Sequence, residues 1–317
     1  MITAIAKRWL TPRGQLGHSL TPYLFLLPAL LMLSLTVFYP ALQAFYLSFT
    51  QFEFNLTRPP QWSGIENFQQ LWGEIQRGDV FLQTVRNTLL YLICVVPVMV
   101  VLPLALAILV NQKLRGIQWF RAAYYVPVVI SMVVAGISWK WLYEGKGLLN
   151  QILSLVGLPA VGWLTDPNLA LFSVMVVTVW KGLGYYMVIY LAGLQAIPLE
   201  LYEAAAIDGS DGWRKHWDIT VPLMRPYLLL VAVISAISAT KVFEEVYIMT
   251  QGGPRNASKT IVYYLYEQAF DELRYSYACT IGLVMFLAIL LLSALRLSIE
   301  RLTGNLPEIS TETKTVI

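Results

Sequence analysis

The chain has 317 residues, of which 57% are hydrophobic and only 13% charged, and its formal net charge is +3. Its mean hydropathy is +0.60, and this composition excludes an ordinary soluble domain, in which about a quarter of the residues are charged. We therefore expect a membrane protein that binds membrane lipid and has no nucleic-acid partner.

Six charge-poor stretches are long enough to cross a membrane. About 20 apolar residues in a helix cross roughly 30 Å of hydrocarbon, and helices are expected because open backbone groups cannot be satisfied in lipid. The predicted fold class is an all-α membrane protein with six transmembrane helices, in a single transmembrane domain over residues 1–317. The predicted spans are Pro22–Ser48, Asn87–Val110, Ala122–Trp141, Leu169–Gln195, Pro226–Thr250 and Tyr275–Leu295.

Basic residues set the expected orientation. If the N-terminus lies inside the cell, the inside segments carry more lysine and arginine than the outside segments, as the positive-inside rule requires. Both termini and the loop after the fourth span are then cytoplasmic. Outside, the apolar segment Gly147–Leu153 is too short to span, and we expect it to lie along the membrane interface or beneath a docked partner.

Residues 196–226, between the fourth and fifth spans, are predicted to form two short helices across a bend. Pro198 suits a helix start, with acidic residues in the following turn, and Gly209 provides a stop and a turn. A second helix over about Asp211–Ile219 ends before Pro222, because proline breaks a helix. This loop is a compact cytoplasmic knob.

The knob carries a spaced motif that begins with Glu203-Ala204-Ala205 and continues with Gly209, Ile219 and Pro222. It resembles the coupling loop of ABC importer permeases, with Val221 in place of the family's leucine. The resemblance implies a type I ABC importer permease whose ATPase-coupling residues are Glu203, Ala204, Ala205, Asp208, Gly209, Ile219 and Pro222.

Other segments resemble the carbohydrate permeases of this group, the maltose and glycerol-phosphate type, and in particular the maltose-type first permease subunit. They are residues 120–127 (FRAAYYVP), 139–142 (WKWL), 166–168 (DPN), 179–182 (VWKG), 191–198 (LAGLQAIP) and 243–254 (FEEVYIMTQGGP).

The resemblance implies a transmembrane permease subunit of an ATP-driven importer for a sugar or sugar-like solute, in the bacterial inner membrane. Its implied partners are a second, different permease, two ABC ATPase subunits and an extracytoplasmic solute-binding protein. This chain would bind no cofactor, since the ATPase subunits use ATP-Mg, and ATPase motion would drive alternating access.

Motifs for chemistry are absent from the sequence. It holds no phosphate-binding G-x-x-x-x-G-K-[ST] loop, no H-E-x-x-H and no nucleophile elbow. His18 and His216 are the only histidines, and neither has a triad or metal partner nearby in sequence. We expect no catalytic residues and no metal site.

Ionisable residues inside spans are candidates for the substrate pathway, because they are costly at membrane depth unless they face a partner or a wet cavity. Lys241, Glu244 and Glu245 have a spacing that allows an ion pair on one helix face. They either line the pathway or only fix the helix.

A second candidate set surrounds Lys181. Trp180, Tyr185 and Tyr186 flank it, with Gly182 and Gly184 allowing close approach. Sugar sites combine aromatic faces with polar groups, but aromatic residues also pack or sit at the interface.

Other functions stay open at this point. A secondary transporter would usually carry charges in several spans and an internal repeat, and a membrane-embedded enzyme would need a catalytic cluster; neither accounts for the knob. Within the importer interpretation, the alternative substrate is a phosphorylated polyol such as glycerol 3-phosphate. Lys181 and Lys241 could bind an anion, but Glu244 and Glu245 place negative charge nearby, which favours a neutral solute.

Overall fold

The computed structural model describes residues 15–52, 59–112 and 114–302, with side chains described over 23–52, 59–112 and 114–291. Both chain termini, whose cytoplasmic location is predicted, lie outside these ranges. The helices are α1 (Gln15–Leu33), α2 (Tyr39–Leu47), α3 (Glu66–Arg77), α4 (Val80–Val110), α5 (Ile117–Val129), α6 (Met132–Tyr143), α7 (Leu148–Leu155), α8 (Ala170–Gln195), α9 (Leu199–Ile207), α10 (Val221–Leu223), α11 (Arg225–Thr240), α12 (Glu244–Met249), α13 (Ile261–Tyr266) and α14 (Tyr275–Leu302). The strands β1 (Thr50–Gln51) and β2 (Gln61–Trp62) pair antiparallel.

The chain forms two compact units. Among the described residues, the first contains 15–52, 59–68 and 273–302, and the second contains 69–112 and 114–272. In the first unit a π-helical turn, Ser34–Phe38, joins α1 to α2, and α2 packs against α14. The buried hydroxyl of Thr280 donates to the carbonyl of Ser48, which fixes this contact.

The second unit has α4 and α8 at its centre, and both pack against α11. Its core includes the fully buried side chains of Tyr91, Met187 and Val231. Helix α5 lies very close to α8 at Gly184, where an added Cβ would be 2.8 Å from the Cα of Tyr125. This approach is possible because glycine has no side chain.

Three of the predicted spans are present as continuous apolar helices in the described part of the chain: Tyr23–Leu47, Val80–Val110 and Ala170–Gln195. The second begins earlier than predicted because Arg86 lies inside the helix rather than before it. The sixth span corresponds to α14, whose apolar part with described side chains is Tyr275–Leu291.

The third and fifth spans were wrongly predicted as continuous helices. The third breaks between α5 and α6, with a bend of 99° between Ile117–Val129 and Met132–Leu155, and Ser131 caps α6 by accepting from the backbone N–H of Val134. In the predicted fifth span, α11 ends at Thr240 and α12 begins at Glu244. The carbonyl of Val242, which lies in this gap, accepts a hydrogen bond from Thr260 instead.

Candidate functional site

The predicted knob forms a turn around Gly209. Helix α9 ends at Ile207, and the N–H of Gly209 donates to the carbonyl of Ala206. Gly209 has φ of +80° with nothing within 4 Å of an added Cβ. The left-handed backbone, and not lack of space, therefore requires glycine here.

The second half of the knob differs from the predicted helix over Asp211–Ile219. The segment begins with turns, is helical from Arg214, and continues through a π-helical turn at His216–Thr220 directly into α10. The predicted helix therefore begins later than expected and does not end before Pro222, which lies within α10. Gly212 has φ of +60°, and this left-handed residue keeps a regular helix from starting at Asp211.

Thr220 joins the two halves of the knob. Its side chain is fully buried, and its Oγ1 lies 3.1 Å from the hydroxyl of Tyr202 on α9 and 3.1 Å from Nδ1 of His216. A further link is made where Ser210 and Arg214 both donate to the carboxylate of Asp218. These bonds hold α9 and the following turn as one body.

The protonation of His216 is affected by the residues packed around it. Burial of the ring, and then the positive charge of Lys215, lower the pKa of His216 below its usual value of 6.5. Its ring also meets the ring of Trp213 edge-on, at 5.4 Å between centroids. The neutral imidazole is therefore the form that this packing favours.

The knob exposes a group of large apolar side chains. Ile207 is 87% exposed, and Trp213 and Trp217 are each more than 60% exposed. Of the predicted coupling residues, Glu203, Ala204, Asp208 and Pro222 are also exposed, whereas Ala205 is buried and Ile219 is half-buried. Exposed apolar residues grouped in this way mark surfaces that bind another protein or a membrane.

Two adjoining cavities of about 430 and 450 Å³ share walls formed by α8, α11 and α12. Helix α4 completes the first cavity, and α5 and α6 complete the second. Lys241 and Tyr91 line the first, and Lys181 and Tyr185 line the second. The residues shared by both cavities are Thr178, Tyr186, Ser238, Glu244 and Glu245. Six of the seven predicted pathway residues therefore line this space, and Trp180 is the exception.

Hydrogen bonds arrange the polar groups around the cavities. The hydroxyls of Tyr91 and Thr178 are 2.5 Å apart, and Thr178 also lies 3.5 Å from Oε1 of Glu245. Lys181 donates to the carbonyl of Val128 at 3.3 Å. The cavities thus contain hydroxyl, carboxylate and ammonium groups, which can bind the hydroxyl groups of a solute.

The ion pair that the spacing allows between Lys241 and the two acidic residues is not formed. Among the described side chains, no salt bridge joins Lys241 to Glu244 or Glu245. The spacing argument assumed one continuous helix, but Lys241 lies in the gap between α11 and α12. Its side chain and that of Glu244 are exposed to the cavity space.

Trp180 has a different environment from the other pathway candidates. Its ring packs edge-on against that of Trp139, 5.5 Å between centroids, and Trp180 is not among the residues that line the two cavities. A pathway role for Trp180 stays a prediction. Sequence reasoning missed Tyr91, Thr178, Ser235 and Ser238, since single hydroxyl residues inside apolar spans give no distinct signal.

The cavities and the knob are connected by two helices. Helix α8 carries Thr178 beside the cavities and ends at Gln195, next to the knob, about 26 Å away at 1.5 Å per residue. Helix α11 leaves the knob at Arg225 and reaches Ser238, about 20 Å further on. Their knob ends touch where Gly193 meets Tyr227, so tightly that an added Cβ would be 2.7 Å from the ring.

An apolar helical chain with an internal cavity and a protruding loop on the same helices has the architecture of a membrane transport component. The model of the family described as "Binding-protein-dependent transport system inner membrane component" matches residues 71–304. The chain belongs to this family, and it is a permease subunit of the ABC importer class.

Known relatives agree with this assignment. The chain is 33% identical over 285 residues to the lactose transport system permease protein LacF of Rhizobium radiobacter, covering 88% of this chain and 93% of the relative. It is 32% identical over 273 residues to the osmoprotective compounds uptake permease protein GgtC of Synechocystis, covering 84% and 94%.

A solved structure has the same fold. It is the crystal structure of a bacterial alginate ABC transporter in complex with alginate pentasaccharide-bound periplasmic protein, with a TM-score of 0.78, 23% identity, and coverage of 91% of this chain and 96% of that chain. The type I importer permease fold expected from the sequence is thereby confirmed. The family consists of membrane components and not ATPases, so the chain is a transport subunit without its own ATPase site.

Proposed function

We propose that the chain supplies one half of the pathway by which an ATP-driven importer moves a neutral sugar or sugar-like solute across the bacterial inner membrane. The observation that carries the proposal is that α8 and α11 both run from the cavities to the knob. A displacement of the knob is thereby transmitted to both sides of the cavity by helices, which are stiff elements. This is the arrangement that alternating access requires.

The charges around the cavities favour a neutral solute. Two lysines, Lys181 and Lys241, are balanced by two acidic residues, Glu244 and Glu245. A phosphorylated polyol such as glycerol 3-phosphate would bring its phosphate close to the two carboxylates, which repel it. The relatives named for lactose and for osmoprotective compounds support the same substrate class.

The exposed side chains of Ile207, Trp213 and Trp217 are proposed to bind an ATPase subunit, with Gly209 holding the turn of the knob. Apolar and aromatic residues are typical of the centre of a protein interface. The working unit would contain a second, different permease, two ATPase subunits that use ATP-Mg, and an extracytoplasmic binding protein. The knob and both chain termini would then be cytoplasmic.

Replacement of Gly209 tests the coupling role. The left-handed conformation costs an ordinary residue about 1–2 kcal/mol, and β-branched residues tolerate it worst. In the complete importer in proteoliposomes, Gly209→Val should lose the ATP hydrolysis that substrate-loaded binding protein stimulates. Gly209→Asn is the matched control, because asparagine tolerates positive φ, and it should keep most of this activity.

Assembly is measured beside hydrolysis by copurification of the ATPase subunits. If Gly209→Val hydrolyses ATP as well as the unchanged importer, the coupling proposal is refuted. The substrate is tested separately by thermal stabilisation of the cognate binding protein with neutral sugars and with glycerol 3-phosphate. Stabilisation by glycerol 3-phosphate alone would contradict the neutral-solute proposal without affecting the coupling proposal.

A further inference from the structure

The short helix α7 is held in place by a single buried amide. Asn150 is only 3% exposed, and its Nδ2 donates to the carbonyls of Glu144 and Val161. Its Oδ1 accepts from the backbone N–H of Val161 and from Nε1 of Trp163. All the hydrogen-bonding capacity of a buried asparagine on this short helix is thus used to fix the segment 144–163.

This attachment leaves one apolar face of α7 uncovered. Leu148, Ile152 and Leu155 follow one another at spacings of four and three residues, so they share a face of the helix. Leu155 is 85% exposed, and Leu148 and Ile152 are each about half exposed. The neighbouring Ser154 and Gln151 are exposed too and form a polar edge beside this face. The helix is therefore amphipathic, with no charged side chain on it.

The position of α7 along the membrane normal follows from its contacts with α8. Trp163, which bonds to Asn150, accepts at its carbonyl a hydrogen bond from Ser173, and Ser173 lies in the first turn of α8. Helix α8 has 26 residues, about 39 Å at 1.5 Å per residue, which exceeds the roughly 30 Å of hydrocarbon. Its first turn therefore reaches the headgroup region, and α7 lies at the same level.

A second marker gives the same level. Trp141, near the end of α6, is 65% exposed, and exposed tryptophans are enriched where the membrane meets water. It follows Val133, Val134 and Ile137 on the exposed side of α6. An exposed apolar side of α6 therefore leads up to the level at which α7 lies.

We propose that α7 is an interfacial helix that inserts Leu148, Ile152 and Leu155 between phospholipids, at the membrane surface opposite the knob. A helix with one apolar and one polar side lies in the interface plane, with its apolar side at the boundary between headgroups and acyl chains. Lipid is the occupant that the level of α7 selects, together with the exposed apolar side of α6 that leads up to this level. This contact goes beyond the proposed function, since it concerns the membrane and not the solute or the ATPase subunits.

Spin labels test the proposal on the complete importer in nanodiscs of phosphatidylcholine and phosphatidylglycerol. The two cysteines of the chain, Cys94 and Cys279, are first replaced by alanine, and the other subunits are likewise freed of cysteine. Leu148→Cys and Leu155→Cys each carry a nitroxide on the apolar face. Ser154→Cys is the matched control on the same helix.

Collision of each label with oxygen, which concentrates in lipid, is compared with collision with a water-soluble nickel chelate. The ratio of oxygen to nickel collisions should be several-fold higher at positions 148 and 155 than at position 154. Equal ratios at the three positions would overturn the proposal. Protection of 148 and 155 from both reagents would also overturn it, because a protein partner would then cover the face.

Discussion

The close contact at Gly184 leads to a measurable prediction about stability. A Cβ at this position would be 2.8 Å from the Cα of Tyr125 and 2.9 Å from the carbonyl carbon of Tyr124. Both are backbone atoms that cannot rotate away, so Gly184→Ala must separate α8 from α5 by at least about half an ångström. Overpacking of this kind costs about 1–3 kcal/mol.

Gly182 provides the matched control on the same helix. An added Cβ there would be 2.5 Å from the terminal methyl of Met99, but methionine is unbranched and can move its end away. Both substitutions gain about 1 kcal/mol of helix propensity, so this gain cancels in the comparison. Gly184→Ala should therefore be less stable than Gly182→Ala by about 1–3 kcal/mol.

The assay is thermal unfolding of the two variants in the same detergent and complex, followed by loss of the monodisperse fraction. Because such unfolding is often irreversible, the two variants are heated at one rate and compared as inactivation temperatures. Gly184→Ala should lose its fold several degrees lower. Identical temperatures would refute the argument that backbone contact between α5 and α8 limits side-chain size.

Three other predictions concern polar groups. Glu245→Gln should lower substrate uptake about fivefold to tenfold, because a charged acceptor binds hydroxyl groups about 1 kcal/mol more strongly than an amide does. Assembly with the ATPase subunits should not change. Unchanged uptake would show that Glu245 does not line the pathway. The knob should lose stability as pH falls below about 6.5, because burial and Lys215 lower the pKa of His216 in the folded state and the unfolded state then binds more protons. His216→Gln should flatten this pH dependence in an ATPase-binding assay. An unchanged pH profile in that variant would contradict the prediction. Lys259 and Glu267 form a largely buried ion pair at 2.6 Å. Lys259→Met alone should destabilise the chain by up to about 3 kcal/mol, and Lys259→Met combined with Glu267→Leu should recover most of this loss. Equal thermal stability of the single and double variants would contradict the prediction.

The sequence was most informative where one local rule acts alone. Long apolar runs predicted the C-terminal ends of α4 and α8 correctly, because backbone groups in lipid must form their hydrogen bonds within the helix. Gly209 was likewise recognisable as a turn residue, and its φ of +80° is what that interpretation requires.

The sequence was least informative where tertiary contacts replace the helical ladder. Nothing local to residues 240–244 indicates a break, since the carbonyl of Val242 is satisfied by Thr260 from a distant part of the chain. The ring of Phe243 in the same gap stacks on that of Tyr263, another distant residue. The ion pair that the spacing of Lys241 allows is not formed for this reason. The hydroxyl groups of Tyr91 and Ser238 line the cavity without any signal in the sequence.

The part of α8 beside the cavities and its end beside the knob are far enough apart for residues at the two places to change independently. Residues separated by more than about 7–10 Å usually contribute additively to stability, and Thr178 is about 26 Å from the end of the helix beside the knob. Changes around the cavity can therefore alter what is carried while the surface offered to the ATPase stays the same. Under the proposed function, the same ATPase partner can in this way serve several permeases with different substrates, and a permease can acquire a new substrate without a matching change in that partner.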